Sequence, residues 1–285
     1  MFVTIKGQRI FFDVVGAKLA IDGRHMREKP TLLVLHGGPG FDHTGFRPGL
    51  DAMSDIAQVV FLDHRGNGRS VPSDPTTWTL ERWGDDIYEF CQALGIEKPF
   101  VLGQSFGGMV AQSYATRHPG HAGAIILSST AARMDFNTSF AIFEKKGGVQ
   151  AREIAERFWS VGDDTIFDTY MRICMPLYNT TVPVDGENAR ARATMRQEVY
   201  RHFSLPGCEI HTMDFRTTLH CIDCPVLVLG GADDPITPPH LAQEILSALR
   251  PGIGTLQIFE DCGHGAFRDK PAQVFDVIRD FLGKL

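Results

Sequence analysis

The 285-residue sequence lacks both a long hydrophobic run and an excess of basic residues. A membrane-spanning helix needs about 20 consecutive apolar residues, and no stretch of the sequence reaches that length. Lys and Arg number 28 against 34 Asp and Glu, a formal charge of -6, so the basic surface typical of nucleic-acid-binding proteins is missing. The N-terminus also lacks the basic start and apolar stretch of a signal peptide. We predict no membrane partner, no nucleic-acid partner and a cytoplasmic protein.

Cysteine is also scarce, and its spacing argues against two classes of site. The six cysteines are scattered, which in a chain of this length is typical of reduced thiols rather than of a disulfide framework. Cys221 and Cys224 have the spacing of a redox or zinc pair, but no second pair completes a zinc site. The glycine-rich loops form neither a P-loop motif nor a complete dinucleotide-binding fingerprint. We therefore predict no metal ion and no cofactor.

The sequence does contain a repeated alternation of short apolar strands with amphipathic helices. Continuous apolar strands separated by helices are typical of a mostly parallel sheet covered on both faces. Strands are predicted at 31–35, 58–62, 99–102, 124–127, 225–229 and 254–259. Helices are predicted at 79–94, between 105 and about 118, at 239–249 and from about 271. Two further runs with β character, 2–5 and 9–15, predict an antiparallel entry to the sheet.

The alternation stops between residues 131 and 220. Apolar residues in this stretch recur at helical spacing, and the pattern is interrupted at Pro176 and Pro183. We interpret the stretch as a helical insertion. It divides the core of the protein into a first part, residues 1–130, and a second part, residues 221–285.

The chain is organised around Ser105, in the run Gly103-Gln104-Ser105-Phe106-Gly107. Ser105 stands where a buried strand turns into a helix, which is the context of a nucleophile elbow. In such a turn the serine hydroxyl projects from the edge of the sheet, and the glycines on either side let the strand and the helix approach closely. An ordinary tight turn shares this pattern, so a base, an acid and an oxyanion site must accompany a true nucleophile.

Loops at the carboxyl ends of later strands offer the base and the acid. His264 follows the last predicted strand, so its loop opens on the same edge of the sheet as Ser105. A serine hydroxyl needs such a base to act as a nucleophile at neutral pH. The loop after 225–229 offers Asp233 and Asp234, and we choose Asp234 as the acid that orients the imidazole. Each of these residues alone also fits an ordinary role in a loop or turn.

Backbone groups complete the predicted site. We expect the N–H groups of Gly38, after the first buried strand, and of Phe106, after the nucleophile, to form the oxyanion hole. Three histidines on loops of the same edge precede Ser105 in the chain, and we expect them to support loop geometry. They are His36, His43 and His64.

Three motifs resemble those of prolyl aminopeptidases, also called proline iminopeptidases, which have the α/β-hydrolase fold. They are His36-Gly37-Gly38-Pro39-Gly40, the run DHRGNGRS from Asp63 to Ser70, and Gly103-Gln104-Ser105-Phe106-Gly107-Gly108. The order Ser105, Asp234, His264 fits the same fold. The resemblance implies an α/β architecture with a mostly parallel eight-stranded sheet, helices on both faces and a helical cap insertion. It also implies that the cap, residues 131–220, covers the active site and sets specificity.

In the enzymes that the chain resembles, cap carboxylates hold the free α-ammonium group of the substrate. The sequence offers five such candidates without choosing among them: Glu144, Glu153, Glu156, Glu198 and Glu209. The chain departs from the family pattern in two places. Phe106 stands where these enzymes often have Trp, and residues 157–162 lack their Trp-Glu pair.

We predict a cofactor-free serine hydrolase that cleaves a small ester or amide through an acyl-enzyme intermediate. Its substrate is expected to be a small molecule or a short peptide. The resemblance implies release of N-terminal proline. The alternatives are a carboxylesterase or lactonase that acts on uncharged esters, and a non-catalytic ligand receptor on the same fold. Five cap residues are predicted to line an acyl pocket, with packing inside the cap as the alternative: Phe158, Trp159, Tyr170, Met171 and Tyr178.

Overall fold

A computed structural model describes residues 1–181 and 191–285 and shows one large sheet of eight strands. The strands of this sheet are β1 (Phe2–Ile5), β2 (Gln8–Val15), β5 (Thr31–Leu35), β6 (Gln58–Leu62), β7 (Phe100–Gln104), β8 (Ala124–Ser128), β9 (Val226–Gly231) and β10 (Gly254–Phe259). Their order across the sheet is β1-β2-β6-β5-β7-β8-β9-β10. The pairs β1–β2 and β2–β6 are antiparallel, and the other pairs are parallel. The predicted mostly parallel eight-stranded sheet is confirmed.

Side chains of the central strands alternate between two apolar layers because successive residues of a strand face opposite sides of the sheet. Leu33 and Leu35 of β5 lie in one layer, while Leu32 and Val34 lie in the other. Helices cover both layers, which confirms the predicted arrangement. On the first face lie α1 (Leu80–Leu94), α2 (Phe106–Arg117) and α6 (Pro239–Ala248), and on the second lies α7 (Pro271–Leu282).

Local sequence signals fix the ends of α1. The hydroxyl of Thr79 accepts a hydrogen bond from the Arg82 N–H and so caps the start of the helix. Gly95 ends it with a left-handed backbone, φ 65°. Shorter helical turns lie at His43–Phe46, Gly49–Asp55, Pro75–Thr77, Leu219–Cys221 and Ala266–Asp269.

The segment between β8 and β9 contains the predicted cap, residues 131–220, and is helical as predicted. Its longest helix, α3 (Phe136–Glu156), is kinked at Gly148, where φ is 76°. Further helices are α4 (Phe167–Ile173) and α5 (Gln197–Ser204). Single turns lie at Arg157–Val161, Asp164–Ile166, Met175–Tyr178 and Glu209–Thr212. Pro176 lies in the turn Met175–Tyr178, whereas the predicted interruption at Pro183 lies outside the described residues.

The sequence did not predict a separate two-stranded hairpin of β3 (Leu19–Asp22) and β4 (His25–Glu28). Its large apolar residues, Leu19, Ile21 and Met26, are exposed. Because the hairpin buries little apolar surface, its sequence shows no clear hydrophobic periodicity.

Candidate active site

Ser105 lies at the junction of β7 and α2 with a strained backbone, φ 56° and ψ −123°. Only a tightly packed surrounding holds a non-glycine residue in such a conformation. A Cβ atom at Gly103 would collide with the carbonyl of Gly107, and one at Gly107 would collide with the carbonyl of Leu35. The two glycines therefore permit the close approach of strand and helix that makes the turn at Ser105 possible.

The predicted base and acid lie together. Nδ1 of His264 is 2.9 Å from Oδ2 and 3.1 Å from Oδ1 of Asp234. The Asp234 carboxylate also accepts hydrogen bonds from the N–H groups of Ile236 and Thr237, at 2.8 and 2.9 Å, and from the Thr237 hydroxyl at 2.8 Å. Since a carboxylate only accepts, the proton of a neutral His264 resides on Nδ1, and Nε2 is left as the basic nitrogen.

Asp234 is fully buried, yet its surroundings keep it ionised. Burial raises the pKa of this carboxyl, but the adjacent His264 and the N–H groups of Thr237 and Ile236 outweigh burial and hold the pKa below its usual value. The neighbouring Asp233 is engaged through its backbone instead: its N–H donates to the carbonyl of Cys262, and its carbonyl accepts from Nζ of Lys146. The structure thus places Asp234, and not Asp233, against His264.

The loop that carries His264 packs against the turn at Ser105. The N–H of Gly265 donates to the Ser129 hydroxyl at 2.8 Å, while the N–H of Ser105 donates to the Ser128 carbonyl at 2.9 Å. A Cβ atom at Gly265 would lie 3.4 Å from Nε2 of Gln104. The end of β8 therefore joins the two loops, so that the residues next to Ser105 and His264 are neighbours.

The predicted oxyanion donors, Phe106 and Gly38, are the residues that follow Ser105 and Gly37 in the chain. Phe106 is the first residue of α2, so its N–H has no acceptor within the helix and lies at the positive end of the helix dipole. On the other side, a Cβ atom at Gly37 would lie 3.1 Å from Cβ of Ser105, and the next residue, Gly38, has φ 128°. The loop after β5 thus contacts the serine directly.

A buried histidine holds this loop. Nδ1 of His36 donates to the carbonyl of Gly37 at 2.8 Å, and its Nε2 accepts from the N–H of His64 at 3.1 Å. These two roles together require a neutral ring. Burial lowers the pKa of His36, with the charge of Asp63 opposing the shift. The expectation that these histidines support loop geometry fits the structure, since His43 likewise bonds the Asp63 carboxylate through its N–H and its Nδ1.

The five predicted pocket residues fall into different places. Phe158 and Tyr170 are buried within the cap, with ring centroids 3.9 Å apart, and Nε1 of Trp159 donates to the Tyr170 hydroxyl at 2.9 Å. Met171 is half-buried on α4. Tyr178 contacts His264, the predicted base. The two rings pack edge to face with their centroids 5.4 Å apart, and the Tyr178 hydroxyl lies 2.7 Å from that of Tyr170. Tyr178 therefore connects the loop of His264 to the aromatic residues of the cap.

The five cap glutamates that sequence reasoning proposed as amine ligands have other environments. Glu144 and Glu156 both pair with Arg152, at 2.7 and 3.0 Å. Glu209 accepts a hydrogen bond from the N–H of Leu80 at the start of α1. The remaining two, Glu153 and Glu198, are exposed.

Sequence reasoning missed Asp269 and Asn179, which bond to the His264 loop. Nδ2 of Asn179 lies 3.2 Å from the His264 carbonyl oxygen and 3.2 Å from Oδ2 of Asp269. The position of Asp269, five residues after the predicted base and in the next helical turn, is the one signal that the sequence offers.

Within residues 1–181 and 191–285, no group of three or more His, Cys, Asp or Glu side chains is arranged to hold a metal ion. Among the helices that the structure describes, none combines the length and the apolar character needed to cross a bilayer.

Comparison with protein families assigns the fold. Residues 30–158 match the family described as alpha/beta hydrolase fold, and residues 211–284 match the family described as TAP-like protein. The chain has the α/β-hydrolase fold. The chain is 26% identical to the proline iminopeptidase of Lactobacillus crispatus (strain ST1), over 97% of the chain and 95% of the relative. It is also 26% identical to the putative carbamate hydrolase RutD of Caulobacter sp. (strain K31), over 88% of the chain and 90% of the relative.

A solved structure shows the same fold. The proline iminopeptidase of Mycobacterium smegmatis superposes on this chain with a TM-score of 0.79 and 22% sequence identity. The superposition covers 100% of the chain and 97% of the solved one. The chain is therefore related to proline iminopeptidases and to hydrolases with other named activities.

Proposed function

We propose that this α/β hydrolase is a serine hydrolase that cleaves a small ester or amide through an acyl-enzyme intermediate. The observation that carries the proposal is the buried Asp234–His264 pair, 2.9 Å apart, with His264 on a loop that packs next to Ser129 and to Gln104, the residue before Ser105. An ionised acid that orients a neutral imidazole next to a serine in a strained turn is the arrangement that activates a hydroxyl.

The proposed reaction has two halves. In the first half Oγ of Ser105 attacks the substrate carbonyl, and Nε2 of His264 takes the hydroxyl proton and then gives it to the departing alcohol or amine. Asp234 stabilises the imidazolium that forms in between. The N–H groups of Gly38 and Phe106 donate to the oxygen that becomes negative. In the second half water attacks the acyl-serine ester by the same route, which releases the acid and restores the serine.

The environment of the cap glutamates favours an uncharged acyl group. Recognition of a free α-ammonium group needs a carboxylate with unused acceptor capacity near the scissile carbonyl. Glu144 and Glu156 are paired with Arg152, Glu209 accepts from the N–H of Leu80, and Glu153 and Glu198 are exposed. What the cap does place against His264 is the aromatic ring of Tyr178. We therefore propose an ester or amide with an uncharged acyl group as the first candidate substrate.

A second candidate is the release of N-terminal proline. It rests on the name of the Lactobacillus crispatus relative, a proline iminopeptidase that matches 97% of this chain. The two candidates share the same nucleophile and differ only in what the cap recognises.

A substrate panel tests both candidates. We expect turnover of short nitrophenyl esters or lactones that exceeds turnover of proline arylamide, and loss of activity in Ser105→Ala. Preferential cleavage of proline arylamide that disappears when its amine is acetylated would establish the second candidate instead. Undiminished activity in Ser105→Ala, or no hydrolysis of any member of the panel together with tight ligand binding, would overturn the proposed function.

A further inference from the structure

A short cap segment, residues 178–181, runs along the loop that carries His264, and we call it the strap. The N–H of His264 donates to the carbonyl of Tyr178 at 2.6 Å, and the carbonyl of His264 accepts from Nδ2 of Asn179 at 3.2 Å. Both backbone polar groups of the predicted base are therefore bonded to the strap. The approach is so close that a Cβ atom at Gly263 would collide with the Tyr178 carbonyl.

One carboxylate holds the strap and the loop together. Oδ1 of Asp269 accepts from the N–H groups of Thr180 and Thr181, at 3.1 and 2.9 Å, and from the Thr181 hydroxyl at 2.7 Å. Its Oδ2 accepts from the N–H of Gly263 at 2.8 Å and from Nδ2 of Asn179 at 3.2 Å. All five hydrogen bonds that the described residues make with this carboxylate are donated to it, which suits an ionised side chain with two accepting oxygens.

We propose that Asp269 is a positioning residue that makes the cap hold the catalytic base: it fixes the strap to Gly263, and the strap fixes His264. This inference rests on the proposed function, because it assigns His264 its role there. The ring of His264 is then set from three directions, by the Asp234 carboxylate at Nδ1, by the strap at the backbone, and by the edge of the Tyr178 ring.

The substitution Asp269→Asn tests the proposal because it keeps the size of the side chain. It replaces one accepting oxygen by an NH₂ group. This group would face N–H donors whether it takes the place of Oδ1 or of Oδ2. We expect the loop to shift and kcat for the best ester of the panel to fall on the order of ten- to a hundredfold, since small displacements of a catalytic group have effects of that size. KM is expected to change little, because Asp269 does not touch the substrate.

Asp261→Asn provides the matched control. Asp261 lies on the same loop, and its side chain is 88% exposed. Its φ of 52° is one that Asn adopts readily. The variants Asp261→Asn and Asp269→Asn each remove one negative charge, so a general electrostatic effect would appear in both. We expect wild-type kcat from Asp261→Asn.

An activity-independent measurement separates this proposal from the proposed function. The Nδ1 proton of His264, held by Asp234, should give a far-downfield proton NMR signal that Asp234→Asn abolishes. We expect the signal to weaken through solvent exchange in Asp269→Asn and to persist in Asp261→Asn. A wild-type protein without hydrolytic activity would overturn the proposed function, while the NMR comparison would still decide the role of Asp269.

Two milder variants keep the test decisive if Asp269→Asn does not fold. Thr181→Val removes one donor to Asp269, and Asn179→Ala removes the donor shared by Asp269 and the His264 carbonyl. We expect a smaller loss of kcat from Thr181→Val than from Asn179→Ala, with the NMR signal weakened in the same order. Wild-type kcat and an unchanged signal in these variants, or in a folded Asp269→Asn, would overturn the proposal.

Discussion

The hydrogen bonds of Asp233 and Asp234 show which of the two adjacent carboxylates is placed to orient His264. Asp234 accepts from two backbone N–H groups and a hydroxyl that pin its carboxylate towards His264. Asp233 shares the same turn but donates and accepts through its backbone. Adjacent residues of the same type therefore have separable roles.

The pair provides a direct prediction. Asp234→Asn should lower kcat by about a thousand- to ten-thousandfold, because an amide in this position favours the wrong imidazole tautomer and cannot stabilise the imidazolium. Asp233→Asn is the control and should retain activity close to that of the wild type, because Asp233 is bonded through its backbone and, of the two, Asp234 alone contacts His264. Steady-state kinetics on the best ester measures both. A larger loss in Asp233→Asn than in Asp234→Asn would contradict the assignment.

The sequence made residue-level predictions where chain order determines spatial position. Ser105, Asp234 and His264 each follow a strand of the parallel part of the sheet, and the carboxyl ends of parallel strands share one edge. Asp269 could not be found in this way, because its partners in the strap come from residues 179–181, some 90 positions earlier in the chain. A contact between segments so far apart in sequence leaves no local pattern.

At the scale of elements, the kink in α3 depends on one glycine. Gly148 has φ 76° and ψ −178°, a combination essentially restricted to glycine. A Cβ atom there would meet no other atom within 4 Å, so any cost of a larger residue is conformational rather than steric.

Gly148→Ala should therefore destabilise the protein by about 1–3 kcal/mol, the usual cost of such backbone strain. Gly49→Ala is the control. Its Cβ would also meet nothing within 4 Å, but its φ lies outside the left-handed region. We expect Gly49→Ala to change the free energy of unfolding by less than about 0.5 kcal/mol. Urea unfolding measures both, and equal stabilities of the two variants would show that the helix adapts to a side chain at position 148.

A buried ion pair joins the loop after β6 to α1. Nε and Nη2 of Arg65 donate to Oδ2 and Oδ1 of Asp86 at 2.8 and 2.6 Å, and both residues are 6% exposed. Burial raises the pKa of Asp86, with Arg65 opposing the shift. The pair thus connects two elements in a region where an isolated charge is costly.

Asp86→Ala should destabilise the protein by about 3–5 kcal/mol, because it leaves the Arg65 guanidinium buried without this partner. The double variant Arg65→Met with Asp86→Leu should recover most of that loss, since it removes both charges and keeps the volume. Unfolding in urea provides the free energies. A double variant as unstable as Asp86→Ala would indicate that the loop needs the ion pair for its shape.

Hydrophobic periodicity predicted some elements closely and missed others. Predicted helices at 79–94 and 239–249 correspond to Leu80–Leu94 and Pro239–Ala248, because each buries one apolar stripe between clear end signals. The hairpin β3–β4 was missed because its exposed side chains show no such stripe. Within the cap, periodicity indicated helices, but the kink at Gly148 depends on a backbone angle that composition does not specify.

At the scale of the whole molecule, buried and hydrogen-bonded titratable groups make stability depend on pH. Burial lowers the pKa of His36 and drives that of His64 well below its ordinary value. On the surface, hydrogen bonds from Arg117, aided by His118, lower the pKa of Asp85 to about 2. All of these shifts mean that the unfolded chain binds protons more readily than the folded one.

The sign of the effect follows from proton linkage. Unfolded histidine takes up a proton below about pH 6.5 while the buried rings stay neutral, so the free energy of unfolding falls as pH drops below that value. The contribution of Asp85 is present above about pH 4, the unfolded pKa of Asp, and is lost as pH falls towards 2. Two successive losses of stability on acidification are therefore expected.

Urea unfolding followed by tryptophan fluorescence, at pH values from 8 to 3, measures this profile. Asp85→Asn should be less stable than wild type at pH 7 and should lose less stability between pH 4 and 3, because its acid-labile contribution is already absent. The loss of stability from His36 and His64 below about pH 6.5 should remain in this variant, since neither ring contacts Asp85. Asp280→Asn, at an exposed position of α7, is the control and should follow the wild-type curve throughout. A profile for Asp85→Asn parallel to the wild type below pH 4 would contradict the role given to the Asp85–Arg117 contact.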